Sequence, residues 1–315
     1  MGNKDKKTGD KMKIGIYKPC KTIFWNDIAK DTNVWSREII GMSKMLADRG
    51  HEVVLTSTTD YTNNYHNVSV GKVSDRFDVF VVFNGAFSKQ KTTEKEIFDS
   101  LKCGQTMLIA SDLDLTRTEH DFELYDNIST ATKELIWQHS EYGAVEHYHM
   151  YGQEMYKGGW EARQHRGVFV GHDRHKVEKM LDYVVRPDID FYGKMESLNI
   201  NKIIDRQTAY NILKTRTYSP VFFDQRVDEL HFVTARPLEL MLFGVVPFVD
   251  KKYDMGELQF DANDNRRVAN YQEMYEKAQN MGKSEFLCLQ KRGFDQLTEI
   301  MTGNKAYELF MKMVD

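Results

Sequence analysis

Short apolar runs alternate with amphipathic stretches through the first half of the chain. The stretch Val34–Arg49 predicts a helix, because its apolar side chains recur every three or four positions and Gly50 follows it. The Glu- and Lys-rich stretch Thr93–Leu101 predicts another helix. Strands that alternate with helices in this way are typical of a parallel sheet covered on both faces. The predicted strands are Lys13–Tyr17, His51–Thr56, Asp78–Phe83, Thr106–Ala110 and Leu135–Gln138.

A second alternating series follows a break over Tyr142–Gly167, which is rich in Tyr, His and Gly and predicts a connection between domains. Helices are predicted over His175–Val184 and Gln207–Leu213, and the pattern from Gln272 onward is helical. The predicted strands of this series are Gly167–Gly171, Asp188–Gly193 and Val245–Val249.

The two series predict an α/β protein of two doubly wound, Rossmann-like parallel-sheet domains. Ligands of such folds bind at the carboxyl ends of the strands, so we expect the two domains to face each other across a cleft. The predicted divisions are a flexible tail over residues 1–12, a first domain over 13–150, a second domain over 151–290, and C-terminal helices over 291–315 that cross back to the first domain.

Composition and charge limit the classes of protein that this chain can represent. The net charge is −4, and residues 14–150 hold 20 acidic and 14 basic residues. Proteins that bind many phosphates usually carry a basic surplus, so the composition by itself does not favour nucleic-acid binding. No apolar run is long enough for a membrane helix, no signal peptide opens the chain, and the three cysteines are widely spaced. We therefore expect a cytoplasmic monomer with reduced thiols and no membrane association.

The stretch Thr234–Asp250 organises the second series. Pro237 just inside its start and Gly244 just past its end mark a helix of about ten residues, which leads into a buried strand. Arg236 and Glu239 are three residues apart and share one face of the first helical turn. A helix N-terminus and an arginine suit a phosphate, and Glu239 could accept hydrogen bonds from sugar hydroxyls. The alternative is a surface Arg–Glu pair on an ordinary helix.

A second candidate phosphate contact lies where a predicted strand opens into a helix, at Gly171-His172-Asp173-Arg174. A glycine there lets the backbone approach a phosphate, and Arg174 is placed to neutralise its charge. Together with Arg236, this turn brings two cations to one point of the predicted cleft.

Two carboxylates, Asp112 and Asp114, follow a predicted strand of the first domain. One interpretation is a general base, since a carboxylate at the end of an apolar strand can have a raised pKa. A second is a metal-binding Asp-x-Asp pair, and a third is capping of the following segment. The base is favoured over the metal, because an arginine-lined site needs no divalent ion to balance a diphosphate. The histidines lack metal-ligand spacing, and we expect no metal site.

In these motifs the chain resembles the phage DNA β-glucosyltransferases of the T-even type. That family has the GT-B fold and transfers glucose from a UDP-sugar to 5-hydroxymethylcytosine in duplex DNA. The resemblance is strongest at Phe232–Glu239, and a second match runs from Gly171 to Gly193. A third is Ser111-Asp112-Leu113, which is similar to a family Thr-Asp-Ile whose Asp is the proposed base. The chain departs from the family in having His172-Asp173 in place of a second glycine and a serine, and Asp114 in place of an arginine.

The resemblance implies an inverting transferase that moves a sugar, expected to be glucose, from a UDP-sugar to the hydroxymethyl group of a modified pyrimidine in duplex DNA. Asp112 is the implied catalytic base, residues 13–150 the acceptor-side domain and residues 151–290 the donor-binding domain. A divalent metal is expected to be dispensable or only stimulatory. The alternatives are a GT-B transferase with a non-DNA acceptor and a nucleotide-sugar epimerase. The expected donor-binding residues are Gly171, His172, Arg174, Arg236 and Glu239, and the expected acceptor-binding residues are Lys18, Lys21, Trp25 and Asp114.

Overall fold

The computed structural model divides the chain into two compact units. The first comprises residues 1–152 and 300–315, and the second comprises residues 153–299. Each unit is described by itself. The structure describes residues 11–17, 34–56, 68–71, 75–83, 98–110, 124–130, 145–146, 155–172, 186–222, 235–252 and 264–314.

The first unit contains a seven-stranded sheet in which every pairing is parallel. Its spatial order is β3-β2-β1-β4-β5-β6-β7, which reverses direction at β1 as expected of a doubly wound sheet. The strands are β1 (Lys13–Tyr17), β2 (Glu52–Thr56), β3 (Val68–Gly71), β4 (Arg76–Phe83), β5 (Lys102–Ala110), β6 (Asn127–Thr130) and β7 (Val145–Glu146).

Helix α1 (Val34–Asp48) covers one face of this sheet through a stripe of apolar side chains. Ile39, Met42 and Leu46 are buried, whereas Lys44 is exposed and pairs with Asp48 one turn later. Buried side chains project from both faces of the central strands, so the sheet has a core on each side.

The second unit contains a six-stranded sheet of order β10-β9-β8-β11-β12-β13. Only the edge pair β9 and β10 is antiparallel among the described strands. The strands are β8 (Gln164–His172), β9 (Ile189–Met195), β10 (Ile200–Lys202), β11 (Arg216–Pro220), β12 (Val246–Asp250) and β13 (Arg267–Val268). The helices are α2 (Arg206–Lys214), α3 (Ala235–Leu242), α4 (Tyr271–Asn280) and α5 (Lys283–Thr302).

The last helix, α6 (Asn304–Val314), belongs to the first unit. Phe310 and Met313 are buried in the core that β1 and α1 form. The chain passes from the second unit to the first at residue 300, within α5, so residues 291–299 lie in the second unit. Met12, which the sequence places in the tail, is also buried in this core.

The predicted fold class is confirmed: both units are doubly wound parallel sheets. The predicted helices Thr93–Leu101 and His175–Val184 and the strand Leu135–Gln138 fall mainly or wholly outside the described residues. Within the described part of the chain, no helix combines the length and the apolar character that crossing a membrane requires.

Candidate functional site

The candidate site begins at the carboxyl ends of β8 and β9, where two glycines lie side by side. Gly171 and Gly193 are partners in the parallel register of these strands. Gly193 has a φ of +128°, a conformation that side chains with a β-carbon rarely adopt. A β-carbon built on Gly193 would lie 1.8 Å from the carbonyl oxygen of Gly171. Glycine is therefore required at position 193, and the two backbones pack together at this edge of the sheet.

Helix α3 brings Arg236 and Glu239 to the same edge. The Nη1 atom of Arg236 donates a hydrogen bond of 2.7 Å to Oε2 of Glu239, one turn further along the helix. The Glu239 side chain is 11% exposed and that of Arg236 is 32% exposed. The neighbouring Leu238 and Leu240 are buried, so packing fixes the helix while its first turn keeps a partly accessible guanidinium.

The guanidinium of Arg236 lies over the backbone of Gly171. A β-carbon built on Gly171 would lie 3.7 Å from Nη2 of Arg236, while Nη1 of the same fork holds Glu239. The structure thus brings three of the predicted site residues together in the second unit. A cation beside a glycine backbone and a helix N-terminus can bind an anionic group, and the nearby carboxylate can accept hydrogen bonds from hydroxyls.

The position of this cluster agrees with the strand order of the second sheet. The strand that follows β8 in the sequence, β9, lies on one side of it in the sheet, and β11 lies on the other side. In open α/β sheets, ligands bind outside the carboxyl ends of the strands at such a switch point. Gly171 stands at that end of β8.

The remaining predicted site residues fall in parts of the chain that the structure does not describe. These are Asp112 and Asp114, which follow β5 in the sequence, together with Lys18, Lys21, Trp25 and Arg174. His172 is the last residue of β8, and only its backbone is described.

A charged cluster that the sequence did not predict lies at the amino ends of the strands, opposite the ends that carry Gly171. Asp190 accepts hydrogen bonds from Arg166 at 2.8 Å and from Arg216 at 3.0 Å, close to the amino ends of three strands. Burial would raise the pKa of Asp190, but these two arginines outweigh it and hold the pKa below its ordinary value. Because the cluster lies at the strand ends remote from Gly171, it ties strands together and belongs to the scaffold.

A half-buried carboxylate directly before β9 links that strand to β11 and α4. Asp188 accepts hydrogen bonds from the hydroxyls of Tyr218 at 2.7 Å and Tyr271 at 2.8 Å. Burial, followed by these bonds to Asp188, raises the pKa of both tyrosines, so both hydroxyls stay protonated and donating at neutral pH. Among the described residues, no group of three or more His, Cys, Asp or Glu side chains has a geometry that could hold a metal ion.

The chain has two doubly wound parallel-sheet units, as GT-B proteins have, and its fold is of the GT-B type. The crystal structure of T4 phage BGT in complex with its UDP-glucose substrate is similar over 96% of this chain and 100% of that one, with a TM-score of 0.64 and 15% sequence identity. Sucrose-phosphate synthase from Thermosynechococcus elongatus is similar over 96% of this chain and 99% of that one, with a TM-score of 0.51 and 10% identity. At these identities the similarity establishes the fold. No protein-family profile matches the sequence, and no curated protein is similar to it in sequence.

Proposed function

We propose that the protein is an inverting glycosyltransferase that moves glucose from UDP-glucose to the hydroxymethyl group of a modified pyrimidine in duplex DNA. The observation that carries the proposal is the placement of the Arg236 guanidinium between the Glu239 carboxylate and the Gly171 backbone. In this proposal the diphosphate of UDP lies over Gly171, and Arg236 binds its oxygens. Glu239 accepts hydrogen bonds from the ribose hydroxyls.

The GT-B fold supports the choice of reaction. T4 phage BGT, whose fold this chain shares, was crystallised with UDP-glucose as its substrate. In the proposed reaction the acceptor hydroxyl attacks the anomeric carbon while UDP leaves from the opposite face of the sugar. The negative charge that develops on the diphosphate would be stabilised by Arg236 and Arg174, because preorganised cations act most strongly where charge develops. With two cations at the diphosphate, a divalent metal would be dispensable or only stimulatory.

The first unit supplies the catalytic base in this proposal. Asp112 follows β5 in the sequence, and the last residue of that strand, Ala110, pairs with Thr130 of β6. The carboxyl ends of these parallel strands lie at the same side of the sheet, where open α/β sheets bind their ligands. Asp112 would remove the proton of the acceptor hydroxyl.

The DNA acceptor rests on the motif resemblance and on the chemistry of the substrate. The 5-substituent of a stacked base cannot reach the floor of a cleft, so the modified base would be flipped out of the duplex. Lys18 and Lys21 would contact the backbone, Trp25 would replace the extruded base, and Asp114 would contact the acceptor. The protein would act as a monomer.

Transfer of labelled glucose from UDP-glucose tests the proposal directly. The acceptors to compare are duplexes that contain 5-hydroxymethylcytosine, 5-hydroxymethyluracil or unmodified cytosine. Label on a hydroxymethylated duplex, and none on the unmodified one, is the expected result. Turnover of the donor with no label on any duplex would contradict a DNA acceptor.

A non-DNA acceptor is the second candidate, and the acidic balance of residues 14–150 favours it. Residues 14–150 hold 20 acidic and 14 basic residues, which is an unfavourable balance for a surface that binds DNA phosphates. Labelling of a small hydroxylated acceptor in place of DNA would select this candidate. Epimerised sugar without transfer would select a nucleotide-sugar epimerase.

A further inference from the structure

The C-terminal end of α3, opposite the end that carries Arg236, is held by groups from distant parts of the second unit. The backbone N–H of Tyr156 donates to the carbonyl of Leu242 at 2.8 Å, and Nη2 of Arg163 donates to that of Phe243 at 2.6 Å. Nε2 of Gln290 donates to the carbonyl of Gly244 at 3.2 Å. The last carbonyls of a helix have no partner within the helix, so these three bonds anchor it from outside.

Arg163 is the centre of this anchor. Besides Phe243, its guanidinium donates to the carbonyls of Arg216 at 2.6 Å, Leu213 at 3.3 Å and Gly158 at 3.1 Å. One planar group therefore links the ends of α2 and α3 to the first residue of β11. Burial lowers the pKa of Arg163 to about 10, which still leaves it cationic at neutral pH. A cation suits this place, because the C-terminal end of a helix carries partial negative charge.

Side chains pack tightly around the turn that follows α3. Gly244 has a φ of +67°, and a β-carbon built there would lie 2.7 Å from Nη2 of Arg163 and 2.5 Å from Nε2 of Gln290. The ring of Phe243 also packs on that of Tyr210, with centroids 4.6 Å apart. Helix α3 has eight residues and so is about 12 Å long. A helix this short moves as one body, so a shift at Phe243 is passed on to Arg236.

We propose that Arg163 is a positioning residue for the anion-binding end of α3: by fixing the C-terminal end of the helix, it sets the place of the Arg236 guanidinium over Gly171. This inference rests on the proposed function, because it takes the anion to be the diphosphate of UDP. Arg163 does not contact that diphosphate in the proposal. It acts through the helix, and displacements of about 1 Å are enough to weaken a preorganised site.

A double-mutant cycle between Arg163 and Arg236, read out as the affinity for UDP by calorimetry, tests the inference. Arg163→Ala is expected to weaken UDP binding at least about tenfold, and Arg163→Ala combined with Arg236→Ala is expected to bind no more weakly than Arg236→Ala alone. Residues that act through one another are non-additive in this way. A purely structural role would make the two losses additive and would overturn the inference.

The matched control is Arg166→Ala, three residues further along the chain, within β8. Arg166 bonds to Asp190 at the opposite edge of the sheet, so its loss should lower the melting temperature while changing UDP affinity less than about twofold. If Arg163→Ala does not fold, Arg163→Lys takes its place. Lysine keeps the charge without the planar fork, so it should restore most of the melting temperature but not the UDP affinity. Wild-type UDP affinity in Arg163→Lys would overturn the inference.

The two proposals fail in different ways. Unchanged UDP affinity in Arg236→Ala would contradict the proposed function itself. A loss in Arg236→Ala with none in Arg163→Ala would leave the proposed function standing and reject only the positioning role of Arg163.

Discussion

Gly193 lies so close to Gly171 that no side chain fits between the two strands. A β-carbon at position 193 would be 1.8 Å from the carbonyl oxygen of Gly171, and the φ of +128° is itself unfavourable for any other residue. The guanidinium of Arg236 also lies near Gly171, with its Nη2 atom 3.7 Å from where a β-carbon on that glycine would be. The backbone of Gly171 thus lies close both to the backbone of Gly193 and to the Arg236 side chain.

Gly193→Ala is therefore expected to destabilise the second unit by about 2–4 kcal/mol, because backbone strain adds to the steric conflict. UDP binding should weaken as well, since the Gly171 carbonyl must move. Chemical denaturation and calorimetry measure the two effects. The control is Gly159→Ala, at a φ of −77° with no atom within 4 Å of the added carbon, which should change stability by less than about 0.5 kcal/mol. Equal effects of the two substitutions would contradict this explanation.

Arg236→Ala is expected to weaken UDP binding by about 2–5 kcal/mol, because it leaves a partly buried phosphate charge without its partner. It also removes the donor that holds Glu239 at 2.7 Å. Arg236→Lys should recover only part of the loss, since an ammonium cannot bind a phosphate and a carboxylate with a planar fork. Calorimetric titration with UDP gives the affinities. Wild-type affinity in Arg236→Ala would remove the central claim about this site.

A histidine in the first unit is expected to make the docking of α6 sensitive to pH. The N–H of Met12 donates to Nδ1 of the buried His51, so Nδ1 carries no proton, and Nε2 lies 2.9 Å from the hydroxyl of Tyr307 in α6. Burial, and then the charge of Arg49, lowers the pKa of His51 below 6.5. The unfolded chain therefore binds this proton more readily than the folded one. Stability from this group is present above pH 6.5 and is lost as the pH falls below it.

The expected result is a free energy of unfolding that declines between pH 7 and pH 5, with a smaller decline in His51→Gln. Denaturant titrations at several pH values measure both slopes. Tyr307→Phe, which keeps the ring and removes the hydroxyl, should cost about 1 kcal/mol at pH 7. Identical pH slopes in wild type and His51→Gln would show that His51 has the same pKa in the folded and unfolded states and contributes no pH dependence.

The sequence predicts those helices and strands whose apolar pattern and bounding Pro or Gly residues match their burial in the structure. Strands such as β1 and β12 are apolar runs, and Pro237 and Gly244 bound α3. The sequence did not predict strand β6, because Asn-Ile-Ser-Thr is short and polar and forms a strand only by pairing with β5 and β7. Tertiary context decides such segments.

The sequence predicts which side chains could bind the ligand, but it does not predict the residues that hold those side chains in place. Arg236 and Glu239 are three residues apart, so helix geometry alone placed them together. The demand for glycine at 193 depends on a neighbouring strand, and the anchoring role of Arg163 depends on carbonyls 50 to 80 residues away in the chain. For the glycine at position 193, the sequence offers one indication: it directly follows Phe191-Tyr192, near the end of a predicted strand.

The last prediction concerns the two carboxylates that follow β5. Strand β5 ends at Ala110, and its pairing with β4 and β6 fixes the position of this end of the strand. Asp112 follows Ala110 by two residues and Asp114 by four. A base must lie within hydrogen-bond reach of the acceptor hydroxyl, and support from a rigid element favours the residue nearer the strand. Under the proposed function, proton transfer is therefore expected of Asp112 and not of Asp114.

Asp112→Asn is expected to lower the rate of transfer by a factor of at least about a hundred while UDP binds normally, because asparagine cannot take the proton. Asp114→Asn should cost less and change mainly the choice of acceptor. Single-turnover transfer to each hydroxymethylated duplex, with UDP calorimetry as the control for folding, separates these effects. If both substitutions abolish transfer and activity requires a divalent ion, the pair is a metal site and the proposed mechanism is wrong. If neither substitution matters, the carboxylates only cap the segment that follows β5, and the base lies elsewhere in the chain.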